Sequence, residues 1–527
     1  MKMTEQLKTM LEKKKNLRKY LFIRAFLLSD NNDINLDEFP FYGNWKKEKL
    51  TDNYYAYIHN TQHIHYVNVD GKTFFLFGHA YNPFTMEIDE NKILERIAEH
   101  YNTDTYWDFV DEMTGLFVYG VIDESGVHFI NDPSGMQSAC YSYVNGKFYI
   151  SSHPQLIGDI CHLTMSDTAK EYVSYKWYYR VMGPYLPADL TPFDEVKRIV
   201  PDISYTFKDS KITHKRFYPI KNITECKNDE EYNAVIEQAA EILKNNMELV
   251  SRKWKKPAIS LTGGIDSNTT FAAANGIYDR FTAFSYLSAE KESIDVVAAK
   301  NIAKKFGVKH TIYEIPQTTD TLKNYEEFVE IIDHNNGYVA RGNDNEYRKR
   351  VYLIEHLDAD VEVKSWVSET IRAYWYKHYG RKSMPKLSPK LYRNLYKIFI
   401  TNRKLAHKTD KLFEQYIKDF EYDKIPEQYP TADMHYNEVT WGSWGGLNIS
   451  EMKIYADITM IYNNRKFLDL LFRVPLEYRI SDQHHLDMKK ILNKKLYDMN
   501  IRVVNMKETN TRAFLLNVLF TANSILP

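Results

Sequence analysis

Ser260-Leu261-Thr262-Gly263-Gly264-Ile265-Asp266-Ser267 is the run whose residue types and spacing could do chemistry. Paired glycines let a backbone approach a ligand closely, and the N–H groups that open a helix face negative charge. Thr262 and Ser267 add hydroxyl donors, and Asp266 adds a carboxylate suited to magnesium on phosphates. The expected chemistry is therefore the cradling of a phosphate anion. No Gly-Lys-Ser/Thr follows, which excludes a kinase-type P-loop. A strand must lead into such a loop and a helix must leave it. Lys255 to Ile259 is a short apolar strand signal, and Asn268 to Ala274 reads as a helix opening.

The flanking pattern extends this strand–turn–helix unit. A 3.6-residue period predicts a helix over Glu230 to Val250. Phe281 to Tyr286 reads as a strand, Ser293 to Phe306 as a helix closed by Gly307, and His310 to Ile315 as a strand. Alternating β and α elements predict a parallel sheet covered on both faces, with the loop at its carboxyl end. After Ile371 the chain reads as mainly helical. The first 220 residues differ. Tyr54 to Val69 alternates as a strand would, and Thr73 to Gly78, Thr114 to Ile122, Val127 to Ile130, Ala139 to Tyr143 and Lys147 to Ile150 follow. Turns such as Asp123-Glu124-Ser125-Gly126 and Asn145-Gly146 separate the later strands, so stacked antiparallel sheets are expected.

Composition narrows the function classes. A chain of 527 residues has room for two cores. Its net charge of −1 gives no general pull toward nucleic acid or anionic lipid. Cys140, Cys161 and Cys226 form no C-x-x-C and are too few for a disulfide framework. No apolar run reaches membrane-spanning length, and the start reads as a charged amphipathic helix through Lys19 without a signal-peptide core. A cytoplasmic location is expected. His59, His63 and His65 alternate, which would place all three on one strand face, as a metal site or as an ordinary polar face. Arg372 to Lys411 carries twelve Lys or Arg and one acid, Asp410. It reads as a solvated helical face, with binding of an acidic substrate, peptide or RNA as the other reading.

The S/T-G-G-x-D-S run resembles the pyrophosphate loop of ATP pyrophosphatases, and the wider chain resembles the asparagine synthetase superfamily. In the first half Gly78-His79-Ala80-Tyr81-Asn82, Gly115 to Asp123, Asp132 to Ser142 and Thr191 to Pro201 are similar to that family's segments. In the second half the resemblance rests on Phe284-Ser285 and on Ser293 to Gly307 followed by His310. It continues through Ser365 to Tyr374, Asn463 to Asp469 and Val503 to Thr509. The resemblance implies an α/β multi-domain protein. Residues 1–220 would be an Ntn-hydrolase-like, glutaminase-type stacked-sheet domain. Residues 221–527 would be a PP-loop ATP pyrophosphatase domain (adenine nucleotide α-hydrolase-like) with a helical extension.

Departures from the family matter as much. Glutamine-using members carry a cysteine after the initiator Met, whereas Lys2 stands here, so the first domain is expected to lack glutaminase activity. β-Lactam synthetases and lasso-peptide cyclases share that loss. The second metal-binding Asp becomes Ser368, leaving Glu369 as its substitute. Arg372 is either a new cation for a substrate anion or a surface residue of a helix capped by Ser368. A glutamate that aids the catalytic base elsewhere is missing, with Tyr462 or Asn463 nearest.

By resemblance the expected cofactors are ATP and magnesium. Ser260, Thr262, Gly263, Gly264, Asp266, Ser267 and Ser285 would bind the nucleotide, Asp266 and Glu369 the metal, and Lys507 and Glu369 would act in catalysis. The expected function is AMP-forming ligation: a small-molecule or peptide carboxylate is adenylylated, then joined to an amine whose source is not glutamine. Intramolecular cyclisation falls within this reading. Neither membrane nor nucleic acid is an expected partner, and the resemblance allows a homodimer. The alternatives are adenylylation of an RNA base and a degenerate, non-catalytic nucleotide-binding or partner protein.

Overall fold

Alternating and apolar runs in the first half pair into two antiparallel sheets, because each strand has one face to bury. The computed structural model describes residues 2–179, 183–399, 401–501 and 510–525. The strands are β1 (Phe26–Ser29), β2 (Trp45–Lys49), β3 (Tyr55–His59), β4 (Ile64–Val69), β5 (Lys72–Tyr81), β6 (Thr114–Asp123), β7 (Gly126–Asn131), β8 (Cys140–Val144), β9 (Lys147–Ser151), β10 (Val196–Arg198), β11 (Ile203–Lys208) and β12 (Lys211–Arg216). One sheet runs β10-β8-β9-β1-β3-β2 and the other β12-β11-β7-β6-β5-β4. Phe26 of β1 stacks on Phe77 of β5 at 4.4 Å, and Phe148 of β9 on Phe207 of β11 at 4.0 Å, so the core lies between the sheets.

Three local expectations fail here. Tyr54 to Val69 is not one strand: β3 joins the first sheet and β4 the second. The buried His59 ends β3, with its ring nitrogens bonded to Thr61 and to the Lys19 carbonyl, while His65 lies in β4 beside Glu90. The three histidines therefore share no strand face. Burial holds His59 down to about 4, so it stays neutral. The leading helix ends at Lys13, since Lys14 takes a non-helical conformation (φ −117°, ψ 63°) and a 3₁₀ turn follows over Lys15–Tyr20.

The second half opens with a 25-residue helix, Asp229–Lys253, capped by the Asn228 side chain on the Glu231 N–H at 2.9 Å. Val235, Ala239, Leu243, Met247 and Val250 form its buried stripe. Five parallel strands follow: β13 (Pro257–Ser260), β14 (Thr282–Leu287), β15 (His310–Glu314), β16 (Val361–Val363) and β17 (Asp457–Thr459). Their order is β15-β14-β13-β16-β17. The chain builds outward on one side of β13 and then crosses to the other. The carboxyl end of β13 is thus a topological switch point, where the flanking connections splay apart and leave a crevice.

The two halves share buried contacts. Arg216 of β12 makes a bidentate pair with Glu438 at 2.7 and 3.0 Å, both side chains fully buried. Asn463 donates to the Gly115 carbonyl and to Asp132, each at 2.8 Å. Its role is to fasten the halves, which accounts for an amide rather than a base there. Among the described residues no helix is long and apolar enough to cross a membrane.

Candidate active site

Loop 261–264 leaves β13 at the switch point and turns into the helix Ile265–Ala273. Its own side chains tie it down. The Thr262 N–H donates to Ser267 Oγ at 3.1 Å, and the Gly264 N–H to Thr262 Oγ1 at 3.1 Å. The Gly263 N–H donates to Asp295 Oδ1 at 2.9 Å. These amides are therefore not free, contrary to the expectation from the sequence. Backbone donors seldom stay unpaired, and Asp295, reaching in from the helix Ser293–Phe306, supplies an acceptor where an anion would sit. Burial raises the Asp295 carboxyl above its ordinary range. Gly264 has an ordinary φ of −70°, and a Cβ there would meet only Thr262 Oγ1, at 3.3 Å. Room rather than backbone strain is what glycine provides at this position.

A cavity of about 310 Å³ opens over this loop. Ser260, Thr262, Gly264, Asp266, Ser267 and Ser285 all line it, and Glu369 closes one side. The Ser285 hydroxyl, two residues before the end of β14, donates to the Leu261 carbonyl at 2.7 Å and meets His310 Nε2 at 2.9 Å. Two lysines that the motifs did not single out also face the cavity. Lys349 pairs with Glu292 at 2.9 Å and sits over the Tyr286 ring at 4.5 Å. Lys364, one residue beyond β16, pairs with Glu362 at 2.8 Å. Lys364 was within reach of sequence reasoning as a cation at a strand end. Nothing in the sequence marks Lys349.

Asp266 is the most heavily engaged residue of the loop. It accepts from Ser368 Oγ at 2.5 Å and from Arg372 Nη1 at 2.5 Å, and His485 Nε2 lies 3.5 Å away. Arg372 is itself pinned by Asp482, at 2.7 Å from Nε and 2.9 Å from Nη2, and Lys377 also bonds Asp482. Arg372 is therefore neither a surface residue nor a free cation, and its guanidinium is shared between two carboxylates. Ser368 caps no helix. It starts a 3₁₀ turn, Ser368–Thr370, after Val367 at φ 76°. The buried Tyr462 donates its hydroxyl to the Asp266 carbonyl at 3.2 Å, which fastens the loop from below.

Glu369 lies in the wall between this cavity and a larger one. Its Oε2 is buried with no hydrogen-bond partner among the described residues. Burial first, then the charge of Asp266, push its carboxyl up to about 8. Among the described residues no three metal-ligating side chains gather. Magnesium that arrives on phosphates takes only one or two protein carboxylates, however. The unpaired Glu369 oxygen fits that demand, and Asp266 fits it once it releases Ser368 or Arg372. Lys507 lies outside the described residues.

The cations of 372–411 divide: Lys382, Lys386, Lys390, Lys404 and Lys411 are exposed, as a solvated face would have them, while others are engaged within the chain. Besides Arg372 and Lys377, Arg393 pairs with Asp410 at 2.6 Å, and Lys408 with Glu171 at 2.8 Å. The buried Lys397 donates to the Gly183 carbonyl, and its ammonium is lowered to about 7 by burial.

Residues 240–347 match the family model for asparagine synthase, which bears out the resemblance over the stretch that holds the loop. No curated protein matches the chain. Among solved structures, a glutamine-dependent NAD+ synthetase from Acinetobacter baumannii, in complex with ADP, is similar at 19% identity and TM-score 0.17, with 33% of each chain covered. The chain thus spans about a third of that protein's length. An allosteric regulatory enzyme of purine biosynthesis matches at 7% identity and TM-score 0.24, covering 56% of this chain and 77% of the other. The glutamine phosphoribosylpyrophosphate amidotransferase of B. subtilis, complexed with ADP and GMP, matches at 6% and 0.20, covering 67% and 74%.

Proposed function

We propose that this chain, which carries an asparagine synthase match over residues 240–347, is an ATP-dependent amide-forming ligase. The observation that carries the reading is the adjacency of two cavities. The Thr262–Ser267 loop lines one, and Tyr286, Trp366 and Glu369 form a wall common to both. A nucleotide in the first and an acid in the second would meet across that wall, and holding two reactants together is a large part of the rate.

The substrate carboxylate attacks the α-phosphorus of ATP, pyrophosphate leaves, and an amine then displaces AMP from the acyl-adenylate. Thr262, Gly263, Gly264 and Ser267 hold the departing pyrophosphate once it displaces Asp295 from the Gly263 N–H. Ser260 and Ser285 border the nucleoside side of the same cavity. Lys349 and Lys364 offset phosphate charge, a role that Lys507 shares by family resemblance. Asp266 and Glu369 would hold magnesium, whose contribution is charge neutralisation on the phosphates. Where it keeps its proton, raised to about 8 by burial and Asp266, Glu369 can instead orient the amine through a hydrogen bond. The amine comes from the substrate itself or from a second one. Adenylylation of an RNA base draws less support, because Arg372, Arg393 and Lys397 of the basic segment are buried against partners within the chain.

The test is pyrophosphate and AMP release from ATP and magnesium with a small-molecule extract of the host, read with mass spectrometry of the extract. Wild type and Asp266→Ala run in parallel. Release by wild type alone, with loss of water from one metabolite or condensation of two, supports the ligase. Release by neither overturns it.

A further inference from the structure

The larger cavity, of about 950 Å³, is built for a particular kind of acid. One wall is a slab of three indoles. Trp366 stacks on Trp441 at 5.4 Å and on Trp444 at 5.6 Å, and Trp441 meets Trp444 at 5.6 Å. Tyr436 continues the slab edge-on to Trp441 at 5.4 Å, and Tyr374 stacks on Tyr436 at 4.4 Å. Trp441, Trp444 and Tyr436 belong to the π-helix Tyr436–Gly445, a rare geometry that recurs at functional sites. Gly183, at φ +76°, crosses close to Trp444, where a Cβ would come within 2.5 Å of the indole nitrogen. Trp366 and Trp444 stay only partly buried, so the slab still faces the cavity.

A second feature is polar. Arg350 lines the same cavity and is 2% exposed. Its Nη2 bonds Glu451 at 2.6 Å and Asn448 at 3.0 Å. Its Nε and Nη1 have no hydrogen-bond partner among the described residues. A buried guanidinium edge left unpaired is costly, and an oxygen anion on a ligand would satisfy it.

We infer that the acid taken by this cavity carries an aromatic ring and, besides the carboxylate that is activated, a second carboxylate. The ring lies on the Trp366–Trp441–Trp444 slab, the second carboxylate meets Arg350, and the reacting carboxylate points to the Glu369 wall. This assignment rests on the ligase reading for the fate of the reacting carboxylate, but not for binding.

Calorimetric binding to the full chain separates the two. The probes are N-benzoylglutamate, which has both features, N-acetylglutamate, which lacks the ring, and N-benzoylglycine, which lacks the second carboxylate. N-Benzoylglutamate is expected to bind about tenfold more tightly than either. Trp444→Leu should erase the ring preference alone, and Arg350→Gln the second-carboxylate preference alone. Should Arg350→Gln not fold, Arg350→Lys keeps the charge and should weaken the preference without abolishing it. Equal affinity for the three probes overturns the assignment. Unequal affinity with no acid-dependent pyrophosphate release from any substrate leaves the pocket assignment standing and removes the ligase reading.

Discussion

Glu369→Gln isolates the electrostatic cost built into the wall between the cavities. In the folded chain without nucleotide or metal, this carboxyl sits at about 8 rather than its ordinary 4.5, through burial and the charge of Asp266. A tenfold change in proton affinity corresponds to about 1.4 kcal/mol, so the full displacement corresponds to about 5 kcal/mol. Glu369 lines two cavities that admit water, which reduces the expected effect to about 2–3 kcal/mol. The sign follows from proton binding. Between pH 4.5 and about 8 the folded form holds a proton that the unfolded form has lost, so stability falls as pH rises through that window. It levels off above about 8. Glutamine mimics the protonated form and removes this slope. Asp111, Asp333 and Glu451 are also raised, to about 7, 6 and 7, so only the difference between variant and wild type is diagnostic. Urea unfolding at pH 5 and pH 8 should show little difference at pH 5 and a variant more stable by about 2–3 kcal/mol at pH 8. Parallel stability–pH curves would refute the reasoning and return Glu369 to an ordinary ionised carboxylate.

Two further expectations concern the Thr262–Ser267 loop and its surroundings, and a third concerns the first antiparallel sheet. Arg372→Met leaves Asp266 without its cation and Asp482 with Lys377 alone, and should cost about 3 kcal/mol in urea unfolding, whereas Arg372→Lys should recover less than half, lacking the planar fork. A loss below about 0.5 kcal/mol would mean that the pair is not formed in solution. Asp295→Asn keeps an acceptor on the Gly263 N–H but removes a charge from the anion cradle. ATP binding measured by calorimetry should tighten roughly fivefold at low salt, and weaker binding would show that Asp295 holds the loop open rather than filling it. Cys140 is buried, and its thiol is raised far above the ordinary range, while Cys161 is only partly buried. Iodoacetamide should label Cys161 first and reach Cys140 only in denaturant; equal rates would contradict the packing of β8 against β9.

How legible the site was depended on how local each part is. Thr262, Gly263, Gly264, Asp266 and Ser267 come from eight consecutive residues, and strand, turn and helix are set by neighbours in the chain. Ser285 was readable for the same reason, as a residue of the next strand along the chain. Arg372 was visible as a cation near the site, yet its partner Asp482 lies 110 residues away in another connection. Lys349, Arg350 and the Trp366–Trp441–Trp444 slab carry no motif, because their meaning lies in what they face across a cavity. The division of Tyr54 to Val69 between two sheets shows the same limit. Alternation specifies a strand, not the sheet that it joins.

The sequence by itself determined the periods and the strand–Gly-Gly–helix loop. Each is written in adjacent or regularly spaced residues. Only the tertiary structure decided that β16 returns beside β13 and so brings Ser368 and Arg372 onto Asp266. It alone decided that Asp295 occupies a loop amide and that Glu369 stands between two cavities with an unpaired oxygen. Such pairings follow from strand order and from the demand that buried polar groups find partners wherever the fold supplies them.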